Sequence, residues 1–141
     1  MTKFDDIIED FEFLDDWDDR YKYVIDLGRS LPSYPEDKRN DDYKVRGCAS
    51  QVWLTHSIDN SNGENIITLL ADSDAHIVRG LVAILLALYS GKSAKDILTL
   101  DPVEALKPLD LNDHLTPQRT NGFASMITKV RALAKDYSTP Q

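Results

Sequence analysis

A chain of 141 residues in which 42% of the side chains are hydrophobic can bury a core without help from a metal or a disulfide. Its single cysteine excludes an internal disulfide and a four-thiolate metal or cluster site. The net charge of −8 argues against nucleic acid and anionic membrane as partners. That charge is concentrated at one end: residues 1–19 carry nine acids against Lys3, and the remainder sums to zero. Such a segment permits steering towards a basic partner, but a solvated helix face is its more common meaning. His56, His76 and His114 are too scattered to suggest a metal site. The N-terminus has no secretory pattern, and the longest apolar run, Leu81 to Tyr89, is far shorter than a membrane span. With one cysteine and a reducing compartment in view, the expectation is one soluble cytoplasmic domain over residues 1–141.

Phe4, Ile7, Ile8, Phe11 and Leu14 stand at helical spacing and predict a short amphipathic helix over 3–13. A second helix should start at Asp15 or Asp16, with Trp17, Tyr21, Val24, Ile25 and Gly28 on its inner stripe and Leu31-Pro32 ending it. Ser33 to Tyr43 is polar and aperiodic, a surface loop. Strands are expected at 51–59 and 66–71, joined by an Asn-Gly-containing turn, with a possible short edge strand at 44–46. Asp72-Ser73-Asp74 offers capping oxygens to a helix over 75–90, apolar on nearly every face and so the buried centre of the domain. Short helices over 93–98 and 102–106 follow. Thr116-Pro117 then opens a helix running to about Tyr137. The fold class is α+β, a small antiparallel sheet of two to three strands packed against helices.

Three stretches carry residue choices that packing does not require. They are Gly47-Cys48-Ala49-Ser50-Gln51-Val52-Trp53, Asp72-Ser73-Asp74-Ala75 with Ile77-Val78-Arg79-Gly80-Leu81, and Leu115-Thr116-Pro117-Gln118-Arg119-Thr120-Asn121-Gly122 with Met126. In this order and spacing they resemble the SufE family of sulfur-acceptor proteins, and Tyr21 to Gly28 with Leu31-Pro32 is similar to the family's second helix. The resemblance covers roughly residues 17–134. It implies an α+β fold shared with IscU-type scaffolds. It also implies a protein that takes sulfane sulfur from a PLP-dependent cysteine desulfurase (SufS-type) and passes it to an iron–sulfur scaffold (SufB-type). The family's acceptor cysteine falls on Cys48. The Ser-Gln-Val wording is closer to the SufE branch than to the CsdE paralogues, while Gln118 and Lys44 depart from residues common in the family.

The chemistry of the residues is consistent with that. Sulfane transfer is an exchange in which a thiolate attacks the outer sulfur of a persulfide, and one cysteine without a neighbour suits a carrier. A free thiol is mostly protonated at neutral pH, and Lys44 or Arg46 pointing at it would raise the thiolate fraction. Gly47, Ser50, Gln51 and Trp53 are the residues expected to shape the loop and pocket, with apolar walls from Val52, Trp53 and the 81–89 helix. Asp74, Arg119 and Arg46 are the candidate partner contacts. Asp74 doubles as a helix cap, and Arg119, ill placed for the helix dipole, needs an internal carboxylate or a partner. Trp53 is expected in the core. His114 as a base for Cys48 would make a thiol hydrolase, without any local signature in support. No metal or cofactor is expected on this chain, since PLP would reside on the desulfurase. The competing readings are a purely allosteric desulfurase activator and a cluster scaffold.

Overall fold

A computed structural model of the protein describes residues 2–138. Helix α1 (Phe4–Phe13) buries Ile7 and Phe11, and α2 (Trp17–Arg29) follows after a break in which Asp16 accepts the N–H of Asp19. Arg20 closes that break by donating to the carbonyl oxygens of Phe11 and Leu14. Strand β1 (Val52–Asp59) pairs antiparallel with β2 (Ile66–Ser73), Val52 opposite Ser73 and Asp59 opposite Ile66. Helix α3 (His76–Tyr89) comes next, then β3 (Lys92–Ser93), α4 (Ala94–Thr99), α5 (Pro102–Leu106) and α6 (Pro117–Ser138). Two 3-10 turns, Lys107–Leu109 and Leu111–Asp113, lead from α5 towards α6. The sheet order is β1-β2-β3, and helices complete an α+β fold. Among the described residues no helix is long and apolar enough to cross a membrane.

The apolar helix predicted at the centre is there. From Leu81 to Leu86 every side chain of α3 is buried, and the helix packs against α2, β2, α6 and α1. Burying each such leucine or isoleucine contributes roughly 1.5–3 kcal/mol, so α3 holds the core together. Its approach to α2 depends on two missing side chains. A Cβ on Gly80 would lie 2.1 Å from the carbonyl oxygen of Val24, and one on Gly28 would lie 2.7 Å from the amide of Gly80. Helix axes come this close only where the contact residues are small.

Four expectations need correcting. Strand β2 runs to Ser73 rather than Ala71, because its ladder continues opposite Trp53 and Val52. Helix α3 therefore starts at His76 with Ala75 at its N-cap position and no side-chain cap, the capping oxygens before it being used elsewhere. The 44–46 edge strand reduces to one bridge between Lys44 and Trp53, reinforced by Val45 N–H donating to Val52 O at 2.8 Å. The 33–43 loop is more structured than its polarity suggests. It makes 3-10 turns at Glu36–Lys38 and Asp41–Tyr43, and it buries Tyr34. Strand β3, only two residues long and paired with Ile66 and Ile67, was not anticipated, since two residues carry no periodicity.

Candidate functional site

Cys48 lies in the loop between Val45 and β1, half-buried. The backbone turns there at Gly47, whose φ of 90° is in the left-handed region that disfavours any other residue. Gly47 also presses on α6: a Cβ would come within 2.5 Å of Ser125 Oγ. One turn of α6 earlier, Gly122 faces the cysteine, and a Cβ there would touch Sγ at 3.5 Å, an ordinary van der Waals contact. The thiol donates to the carbonyl oxygen of Gly122 across 3.5 Å.

The sulfur borders a cavity of about 190 Å³. Val78 and Leu81 of α3 and Met126 of α6 supply its apolar wall. Ala49 and Ser50 of the loop and Thr116, Gln118 and Arg119 at the start of α6 complete it. Burial pushes the pKa of the Cys48 thiol above its ordinary value, so the resting group is the protonated thiol. The first turn of α6, which Thr116 caps by accepting the N–H of Arg119 at 3.3 Å, brings partial positive charge to the cavity edge. Arg119 adds a full one. Among the described residues no carboxylate pairs with its guanidinium, so of the two explanations for its position the internal one fails.

Beyond Cys48, Asp74 tethers the loop to the end of β2. Its Oδ1 accepts the N–H of Gln51 at 3.1 Å, while its own N–H donates to the carbonyl oxygen of Gln51 at 3.2 Å. Asp74 is thus a loop clamp and not the cap of α3. Ser73 Oγ accepts the N–H of Ala75, and Asp72 points away to Arg39 and Arg79, its Oδ1 2.9 Å from Arg79 Nε. The Arg39–Asp72–Arg79 cluster is a feature sequence reasoning missed. It fastens the 33–43 loop to β2 and α3, and Arg39 lies against the rings of Tyr34 and Trp53. An arginine in a polar loop carries no sequence signal for such a role, because Asp72, the carboxylate it shares with Arg79, is 33 residues away.

Several expected contributors are elsewhere. Trp53 is half-buried beside Arg39 and does not pack on the core or line the cysteine cavity. Val52 is fully buried but does not line it either. Arg46 is exposed, neither it nor Lys44 lines the cavity, and the thiol pKa is raised by desolvation rather than lowered by either cation. His114 stacks on Trp17 with ring centroids 4.0 Å apart and faces Asp110 at 3.6 Å, away from Cys48. The geometry thus joins Cys48, Gly47, Ser50, Arg119 and the Gln51–Asp74 clamp, and leaves out Arg46 and Trp53. No group of histidine, cysteine and acidic residues among those described is arranged to hold a metal ion.

Known proteins resemble this chain along nearly its whole length. Residues 5–134 match the family model described as SufE, Fe–S metabolism associated domain. An uncharacterised SufE-like protein of Rhizobium etli is 52% identical over 135 residues, covering 96% of this chain and 91% of the relative. A second uncharacterised SufE-like protein, from Rhizobium meliloti, is 49% identical and covered over 96% of both chains. The solution structure of a hypothetical protein from Thermus thermophilus shares the fold, with a TM-score of 0.74 over 99% of this chain and all of that one at 17% identity. On the strength of the family match and these relatives, the chain belongs to the SufE family and has a role in iron–sulfur metabolism.

Proposed function

We propose that the protein is a sulfur carrier that works with a PLP-dependent cysteine desulfurase of SufS type in the cytoplasm. It takes sulfane sulfur on Cys48, relieves the stalled desulfurase, and delivers the sulfur to a scaffold of SufB type. The observation that carries this reading is the seating of the sole thiol at a small cavity with an apolar wall and Arg119 at its edge.

In the transfer, Cys48 attacks the outer sulfur of the desulfurase persulfide as a thiolate. A new S–S bond forms at Cys48, the desulfurase S–S bond breaks, and the displaced desulfurase cysteine takes the proton that Cys48 gave up. Atoms and charge balance, and no external oxidant or reductant is used. The product is a persulfide, more acidic than a thiol. The start of α6 and Arg119 favour its anion, while Val78, Leu81 and Met126 keep water and competing thiols away. Since the resting thiol is protonated and half-buried, the loop must open on the desulfurase, which requires a partner that binds the open form better than the closed one.

The test is intact-mass analysis after incubation with the desulfurase and free cysteine under anaerobic conditions. The protein should gain sulfur on Cys48. Cys48→Ser should bind the desulfurase yet fail to raise its turnover. Full activation by Cys48→Ser would replace the carrier by a purely allosteric activator. A stoichiometric cluster on the isolated chain after iron and sulfide reconstitution would point to a scaffold instead.

A further inference from the structure

Helix α6 offers the cysteine cavity only one of its sides. On another side, between α5, the two 3-10 turns and α6, lies a groove of about 540 Å³ that the sulfur chemistry leaves unused. Leu106, Leu111, Leu115, Phe123 and Ile127 contribute apolar surface to it. Val103, also lining it, is 72% exposed, one of two large apolar side chains left in solvent among the described residues. A concave apolar surface with a solvent-exposed apolar side chain at its edge is the usual mark of an interaction site. The groove is also bordered by Asp110, whose φ of 50° makes it the one non-glycine residue with positive φ among those described. Uncommon backbone conformations of this kind concentrate where the chain serves function.

Charge decides what fits. The lining itself carries one charge of each sign, Lys107 and Asp110, while Asp101, Glu104 and Asp113 of the same segment make its surround acidic, and Lys107 is drawn to Glu104 at 3.8 Å. The acidic helix α1 packs against the Lys107–Leu109 turn and extends the negative field on that side. Residues of α6 that line the groove, such as Thr120, Ala124 and Thr128, add no charge. A second copy of this chain is a poor occupant. Its most exposed apolar side chain, Phe13, stands in sequence among Glu12, Asp15 and Asp16, and would bring like charges together.

We propose that this groove docks an amphipathic segment of a partner protein, its apolar face in the groove and its flanks basic. This goes beyond the carrier reading and does not depend on it. Because Gly122 and Met126 face the cysteine cavity while Phe123 and Ile127 face the groove, a partner held in the groove would leave the Cys48 loop free to act.

The probe is a synthetic helical peptide of repeated Leu-Lys-Lys-Leu-Leu-Lys-Leu, titrated into the isotopically labelled full-length chain at physiological salt. The largest amide shifts should fall at Val103, Ala124 and Thr128. Ala124 is exposed, so Ala124→Arg should fold normally, obstruct the groove, oppose the basic flanks and weaken binding at least about tenfold. The peptide with every lysine replaced by glutamate should bind at least about tenfold more weakly. Cys48→Ser should bind the basic peptide as the natural chain does. Shifts confined to residues 4–19, unchanged affinity in folded Ala124→Arg, or equal binding of the acidic peptide would each overturn the proposal. Self-association of the free chain that Ala124→Arg abolishes would also overturn it, by assigning the groove to a second copy.

Discussion

Asp74 and Gln51 share two hydrogen bonds at the place where the cysteine loop enters β1. One of them, the carboxylate to the Gln51 N–H, can be removed alone. At an exposed site it stabilises the closed loop by about 1 kcal/mol, enough to change the open population roughly fivefold. Asp74→Ala should therefore raise the rate of Cys48 alkylation about fivefold while the melting temperature hardly moves. An unchanged rate would show that the backbone pair suffices. The thiol itself makes closure depend on pH. The closed loop holds the protonated form and burial raises the Cys48 pKa, so closure is fully favoured below the ordinary thiol pKa of about 8.5. It is lost as pH rises through the raised value. Alkylation of the free protein should accordingly lag behind a peptide thiol at neutral pH and close the gap in alkaline solution.

Individual elements divide the work between core and site. Helix α3 gives most of its surface to the core and only Val78 and Leu81 to the cavity, while α6 serves the core through Phe123, Met126, Val130 and Ala134. A site built on two packed helices keeps its walls fixed while the loop moves. The α2–α3 contact is the least forgiving part of that frame, since a methyl on Gly80 would enter the carbonyl of Val24. Gly80→Ala should lose ~3 kcal/mol, the top of the usual overpacking range, in chemical denaturation. A loss below about 1 kcal/mol would mean the helices separate with little cost.

Across the whole molecule the charge is lopsided, with the acids of residues 1–19 on one end. That end cannot simply be cut away to test its role, because Ile7 and Phe11 are each 1% exposed and belong to the core. Asp5, Glu9 and Glu12 are exposed, so replacing them with Asn, Gln and Gln removes charge with the packing intact. Screening acts over about 8 Å at physiological ionic strength. The triple variant should therefore associate more slowly with a basic partner surface in low salt and at the same rate in high salt. A salt-independent defect would mean direct contact through these residues.

The sequence alone determined what depends on pattern and on residue type. Apolar spacing placed α1, α2 and α6, the Asn-Gly turn paired β1 with β2, and an unbroken apolar run marked α3 as the centre. The three stretches around Cys48, Asp74 and Arg119, taken in their order and spacing, were enough to identify the family, since residue types and separations are read directly from the chain. Tertiary structure decided everything that depends on which distant groups meet. Asp74 has the type and position of a helix cap, and only the extension of β2 alongside β1 brings it to Gln51 instead. Trp53 is apolar, yet alternation with buried Val52 and Leu54 puts it on the other face of β1, where only the tertiary structure brings Arg39 against its ring. Arg46 is two residues from Cys48 and Arg119 is 71 residues away. It is the distant arginine that borders the cavity, because α6 packs behind the loop and Gly47 turns the chain so that the sulfur faces that helix.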